Sequence, residues 1–468
     1  MMIPFKLIMK HAVSVSLACL LLISACRASA QENKFDFAAL EKGALAELKA
    51  KGIPGAAVGV VLGDKLVFAR GLGVANTETG EPVKPEMLFR LGSTTKMFTS
   101  AALLALVNDG KIRLDAPIGN YLDGIVPRLE QVTSRQLLSH TAGLRDEAPM
   151  FGPHDETALA DMVKSFKADY FFTDQGVIYS YSNPGYWVAG LVIERTGRKP
   201  YADVLSEYLF QPLGMTRTTF RPTMAMTWPL ATGHGPGGKI IRPAADNAAT
   251  RPAGQMFSSV PELARFVIAL LNDGRLEGRQ VLPLSTVQAM TTAQAEIPGG
   301  EAKYGFGLRL TREKETRVWS HSGSRAGYGS LIQMLPDQHV GIITLCNLTG
   351  AALSKTAAEA LGPYFPLRPP REPAAADLPP MSTAEMAKCV GVFSDSKEWE
   401  EIMAHKGRLW WRTREKQWPV TRITQDHFLA RPEEGSGQES IVLVFDDKNY
   451  AEYLFRGGHA LRRMPAKK

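Results

Sequence analysis

"FRLGSTTKMFTSAALLALVND", residues 89–109, decides how this chain is read. Ser93 stands where an apolar run of helical spacing begins. The run predicts a helix to about Asn108, before Gly110. Lys96 follows Ser93 by three positions, and residues three apart share a helix face, so the amine can reach the hydroxyl. First-turn N–H groups lack partners within the helix, and the helix dipole favours negative charge there. An amine in a partly desolvated pocket loses proton affinity and can act as a base. The pattern therefore suits an activated serine nucleophile. Ser-x-x-Lys recurs as "SDSK" at 394–397, but among strand and turn signals, where it reads as a surface pair.

Two further stretches carry chemistry. In "YSYSNPGYW" (179–187), Tyr181 and Asn183 precede an amphipathic helix. A tyrosine hydroxyl beside a lysine can shuttle a proton, and an asparagine amide can hold a substrate carbonyl or amide. In "VWSHSGSRAGYGS" (318–330), His321 falls on an expected strand followed by small residues. Gly323 would let a substrate lie close to that strand, and the N–H of Ser324 would serve as a second oxyanion donor.

Taken together and in this order, the three elements resemble the serine β-lactamase and penicillin-binding superfamily. Its class A branch carries Ser-x-x-Lys, Ser-Asp-Asn and Lys-Thr-Gly. The Tyr-x-Asn second element here is similar to the class C-like branch, as are "LLSHTAGL" (137–144) and "YSNPGYWVAGLVIE" (181–194). The resemblance spans about Phe37 to Leu361. It implies that Ser93 is acylated, that Lys96 and Tyr181 share activation and proton transfer, and that Asn183 binds substrate and orients Lys96. It also implies an oxyanion hole from the N–H groups of Ser93 and Ser324, and it implies no cofactor. His321 stands where class C β-lactamases have lysine, and a histidine there titrates near pH 6.5 unless perturbed. A His-x-Gly third motif resembles DD-peptidase and D-aminopeptidase members, whereas related esterases commonly carry Trp-x-Gly. The resemblance thus implies a peptidase on D-amino-acid-containing or unusual peptides. Two alternatives stay open: a carboxylesterase or β-lactamase on the same machinery, and a non-catalytic cell-wall or partner-binding protein.

The rest of the chain is consistent with that architecture. "DFAALEKGALAELKAKG" (36–52) has helical spacing, with Asp36 as N-cap and Gly52 as stop. A hairpin is expected around Gly63-Asp64 and a second at Pro336–Gln338, followed by a helix from about Ala351 to Leu361. Between them lies a middle rich in loops and short helices. Strands and helices from both ends with a helical insertion imply an α+β fold, an antiparallel sheet flanked by helices beside a helical subdomain. Residues 365–381 form a proline-rich linker. Beyond it, 382–468 read as a small antiparallel β-barrel, resembling the lipocalin-like module often attached to these hydrolases. Trp410, Trp411 and Trp418 are expected to pack in its core.

Composition narrows the partners. The chain has 468 residues, 45% of them hydrophobic, enough for more than one domain. Its formal charge of +7 is spread out, partly at Arg462, Arg463, Lys467 and Lys468, and no basic stripe alternates with aromatics. Nucleic-acid binding is therefore not expected. Residues 1–30 read as a signal peptide, with Lys6 and Lys10 before the apolar run Ala12–Ala25. "ASA" at 28–30 fits a cleavage site, giving a periplasmic or secreted protein. "ISAC" at 23–26 resembles the bacterial lipoprotein box, in which Cys26 would carry a lipid anchor. No CxxC, HExxH or Cys/His cluster occurs, so no metal site is expected. Domain 31–364 is thus expected to act on a small-molecule or peptide substrate, with oligomeric state left open.

Overall fold

The computed structural model describes residues 35–362 and 378–465. The expected signal segment, Cys26 and the linker up to residue 377 lie outside the described residues.

Helix α1 (Phe37–Lys51) starts where the Asp36 side chain accepts from Ala39 N and stops at left-handed Gly52. Strands β1 (Gly55–Leu62) and β2 (Lys65–Gly73) form the first hairpin. Helix α2 (Thr95–Asn108) and helix α3 (Asn183–Gly197) follow, with short helices and loops between and after them, and then α4 (Val260–Leu271). The sheet resumes with β3 (Ala295–Glu296), β4 (Lys303–Tyr304), β5 (Arg309–Glu313), β6 (Thr316–Arg325), β7 (Tyr328–Leu335) and β8 (Val340–Cys346). Helix α5 (Ser354–Leu361) closes the unit. The strand order is β2-β1-β8-β7-β6-β5-β4-β3, so the first hairpin pairs with the last strand across the whole domain. The turn of the β7–β8 hairpin falls at Pro336–Gln338, as expected. Strands β3 to β5 had no counterpart in the sequence reading: β3 and β4 are two residues each, too short to show an alternating pattern.

Both faces of β1 are covered, and every residue in it is buried. One face (Val58, Val60) packs with Leu40, Leu48, Ala357 and Leu361 of the terminal helices. The other (Ala57, Val61) packs with Leu263, Phe266 and Val267 of α4. Burial on both sides explains why this strand reads as a continuous apolar run.

The C-terminal strands form a closed eight-stranded antiparallel barrel: β9 (Gly391–Ser394), β10 (Trp399–His405), β11 (Arg408–Arg412), β12 (Gln417–Arg422), β13 (His427–Ala430), β14 (Glu439–Phe445), β15 (Ala451–Arg456) and β16 (His459–Arg463). Closure removes free sheet edges. Trp411 is in its core, donating to Glu400 Oε2 at 2.6 Å, whereas Trp410 and Trp418 are half-buried.

The barrel docks on the first domain near residues 172–181. Val442, Tyr453, Phe455 and Ala460 pack with Phe172, Ile178, Tyr179 and Tyr304. The Thr173 and Tyr453 hydroxyls lie 2.6 Å apart, and Arg145 donates to Ser396 Oγ at 2.9 Å.

Candidate active site

Ser93 lies in a 3-10 turn, Gly92–Thr94, that leads into α2. The turn is wedged against strand β6. Gly92 has φ +56, and a Cβ there would fall 2.6 Å from Ser324 N. A Cβ on Gly323 would fall 1.9 Å from Leu91 O and 2.9 Å from Ser93 N. The room beside Gly323 is thus filled by the serine turn. This corrects the expectation that the glycine leaves space for substrate: its lack of a side chain lets the turn approach the strand. The Thr94 and Ser330 hydroxyls both donate to Leu91 O, at 3.0 and 2.6 Å, and fix the approach.

Lys96, the second residue of α2, is fully buried. Its Nζ lies 2.6 Å from Asn183 Oδ1, 2.8 Å from Ala253 O and 3.3 Å from Ser93 Oγ. Burial pushes its pKa down from 10.5 to about 7, against an opposing pull from the Asp146 carboxylate. Two of its three close partners are carbonyl oxygens, which only accept. A neutral amine can give its two N–H groups to them and keep its lone pair for the Ser93 hydroxyl.

Tyr181 also hydrogen-bonds Ser93, and burial holds its phenol well above the usual pKa of 10. Lys96 Nζ lies 4.7 Å from the centre of its ring. The phenol is therefore neutral near pH 7, which separates the two candidate bases by protonation state. The His140 ring packs on Tyr181 at 4.3 Å between centroids, and His140 Nδ1 accepts from Ser182 N at 3.0 Å. Burial, then the nearby Lys96, holds this imidazole well below 6.5.

Asn183 opens α3 and turns its oxygen to Lys96. Asp146 fixes the amide, its Oδ1 accepting from Asn183 N at 2.7 Å and from Asn183 Nδ2 at 3.0 Å. Sequence reasoning missed Asp146. It lies two residues beyond "LLSHTAGL", but nothing local marks a partner 37 residues away.

His321 departs from expectation. Its Nδ1 lies 2.6 Å from the Ser322 carbonyl and must donate to it, so Nε2 accepts from the Tyr304 hydroxyl at 3.1 Å. Burial, with Lys96 adding repulsion, lowers its pKa to about 3. Titration near pH 6.5 is thus corrected to a ring that stays neutral. Ser324 follows on the same strand, exposed, beside Gly92. Ser394 of the second Ser-x-x-Lys donates to Glu398 O at 2.7 Å, while Lys397 lies 3.7 Å from Glu147, so that pair is not a site.

The barrel reaches this cluster. Tyr181 N donates to Gly458 O at 2.9 Å, and Ala460 N donates to Ser180 Oγ at 3.0 Å. His459 Nδ1 lies 3.1 Å from Tyr181 O.

The chain is 28% identical over 341 residues to a D-aminopeptidase of Gluconobacter oxydans, covering 69% of this chain and 62% of that one. It is 24% identical over 311 residues to protein flp of Staphylococcus aureus, covering 65% and 61%. The chain therefore spans about three fifths of the length of these curated relatives. Among solved structures, SurE superposes with a TM-score of 0.76 at 24% identity, covering 91% of this chain and 98% of that one, which bears on the fold alone. D-amino acid amidase from Ochrobactrum anthropi superposes with a TM-score of 0.58 at 26% identity, covering 70% and 96%. The beta-lactamase family model matches residues 37–362, so most of the chain, with the whole Ser93 cluster, belongs to the beta-lactamase family.

Proposed function

We propose that this chain is a serine hydrolase that cleaves amide bonds of D-amino-acid-containing peptides or amides through an acyl-enzyme on Ser93. The observation that carries the reading is the placement of Lys96: fully buried, pKa near 7, with two carbonyl oxygens and Ser93 Oγ around its nitrogen. In this reading neutral Lys96 takes the Ser93 proton as Oγ attacks the substrate carbonyl carbon. The N–H groups of Ser93 and Ser324 receive the developing oxyanion, a contribution worth about 2.7–4 kcal/mol per donor. The Tyr181 phenol passes a proton to the departing amine as the C–N bond breaks and takes the proton that Lys96 received from Ser93, so that both groups return to their neutral forms. Water then attacks the ester and releases the acid, restoring Ser93. The D-configured substrate class is supported by the D-aminopeptidase and D-amino acid amidase relatives.

The test is hydrolysis of D-alanine p-nitroanilide and its L-enantiomer by the purified protein, with intact-mass analysis after quenching. Turnover of the D-compound with a trapped acyl adduct mapping to Ser93, lost in Ser93→Ala, is expected. An adduct on another serine, or hydrolysis that survives Ser93→Ala, would overturn the assignment.

A further inference from the structure

The hydrolase reading leaves one question about the same site: which end of a peptide enters it. Two acceptors beside Asn183 and Tyr181 bear on this. The first is Asp146 Oδ2. Oδ1 is used by Asn183 N and Nδ2, whereas Oδ2 receives a longer contact of 3.3 Å from Asn183 Nδ2. A carboxylate has about four lone-pair sites, so Oδ2 retains capacity.

The second acceptor comes from the barrel. His459 begins β16, just after the turn Gly457–Gly458. Its Nδ1 faces the Tyr181 carbonyl at 3.1 Å, and a carbonyl only accepts, so Nδ1 carries the hydrogen. In the neutral ring Nε2 is then an acceptor, and it lies 4.0 Å from Asp146 Oδ2. That gap is too long for a direct hydrogen bond. It suits a shared donor: one nitrogen about 2.9 Å from both acceptors would see them roughly 90° apart, within reach of two N–H groups of one ammonium. Both side chains are open to a ligand, at 24% exposure for Asp146 and 40% for His459. The other charged groups on the Asp146 loop, Arg145 and Glu147, pair with each other at 3.0 Å. Lys96 is turned away, held behind the Asn183 oxygen.

We infer that Asp146 and His459 form a subsite for the free α-ammonium of the substrate, so that the chain cleaves the bond after an unblocked N-terminal residue. The inference rests on the Ser93 hydrolase reading and gives the barrel a part in selectivity. A substrate carboxylate placed there would meet Asp146 and be repelled, which argues against recognition of a C-terminal carboxylate at this place.

The test compares kcat/KM of the full-length protein for D-alanine p-nitroanilide and N-acetyl-D-alanine p-nitroanilide. Wild type should favour the free amine at least tenfold. Asp146→Asn and His459→Asn should each lower that ratio at least fivefold, mainly through KM for the free amine. Asparagine at 459 keeps a donor for the Tyr181 carbonyl while removing Nε2. A ratio unchanged in both variants, with the two rates falling together, would mean these residues only position Asn183 and Tyr181, and would overturn the subsite. Equal or better cleavage of the acetylated compound by wild type would overturn the subsite and leave the hydrolase reading standing, and this arm needs no variant to fold. Failure to cleave either compound would overturn both.

Discussion

The Lys96 amine makes a quantitative demand on the pH dependence of acylation. Its pKa near 7 is a balance: burial lowers it from 10.5, and the Asp146 carboxylate, reached through the Asn183 amide, raises it. Only the neutral amine has a lone pair for the Ser93 proton. The acylation rate should therefore be flat above about pH 8 and fall tenfold per unit below the pKa, to about one hundredth of the plateau at pH 5. Asp146→Asn removes the opposing charge but keeps a side-chain oxygen for the Asn183 amide. A carboxylate roughly 7 Å from an ammonium at an effective dielectric near 20 contributes about 2 kcal/mol, so the limb should move roughly 1–2 units toward acid. The assay is the p-nitrophenol burst from p-nitrophenyl acetate between pH 4 and 9. That ester has no ammonium, so it separates the effect on Lys96 from any effect on substrate binding. An acid limb above pH 9 in wild type would mean that the amine is not desolvated as its contacts imply. A limb unmoved by Asp146→Asn would break the coupling between the carboxylate and the lysine.

Further outcomes follow from the same contacts. Tyr181→Phe removes the hydroxyl that meets Ser93 but keeps the ring on His140 and Lys96. It should lower the rate of amide cleavage by about 10²–10⁴-fold with little change in melting temperature. Gly323→Ala puts a carbon 1.9 Å from Leu91 O. It should push the serine turn off β6, destabilise the protein by at least about 2 kcal/mol in chemical denaturation and suppress the burst. Lys96 also sets a stability trend. Its folded pKa of about 7 lies below the ordinary 10.5, so between those values the unfolded chain holds a proton that the folded chain has lost. Folding stability from this group therefore rises with pH across that window, and its full cost, a few kcal/mol, applies below pH 7. Lys96→Met should accordingly gain stability relative to wild type when pH is lowered from 9.5 to 6, as read by urea unfolding.

Legibility in the sequence tracked the distance over which each interaction acts. Ser93 and Lys96 are three residues apart, across a 3-10 turn that runs into α2, so their 3.3 Å approach could be read from spacing. The capped helix α1 and the two hairpins were equally local. Tyr181, Asn183 and His321 were visible as motif letters, but their electrostatics were not. The neutrality of His321 depends on burial and on the Lys96 amine, and its ring is oriented by the Tyr304 hydroxyl, which comes from a strand of two residues that no periodicity reveals. The role expected of Gly323 failed for a similar reason: the atoms that fill its side-chain space belong to Leu91 and Ser93, more than two hundred residues earlier.

The barrel was the hardest part to connect with chemistry. As a sequence it reads as a separate module after a proline-rich stretch, and its closed sheet needs no help from the first domain to satisfy its strand edges. Yet its β15–β16 turn meets both Tyr181 N and Tyr181 O, through Gly458 O and His459 Nδ1, and the Ser180 hydroxyl through Ala460 N. Contacts of that kind fix backbone rather than side chain, so they constrain where the Tyr181 hydroxyl sits without appearing in any pattern of residue types. A module that only tethered the enzyme to a partner would have no reason to seat a histidine 4.0 Å from the carboxylate that orients Asn183. Its placement supports the proposal that the two domains share one site, the first carrying the proposed acylation chemistry and the second forming one wall of it.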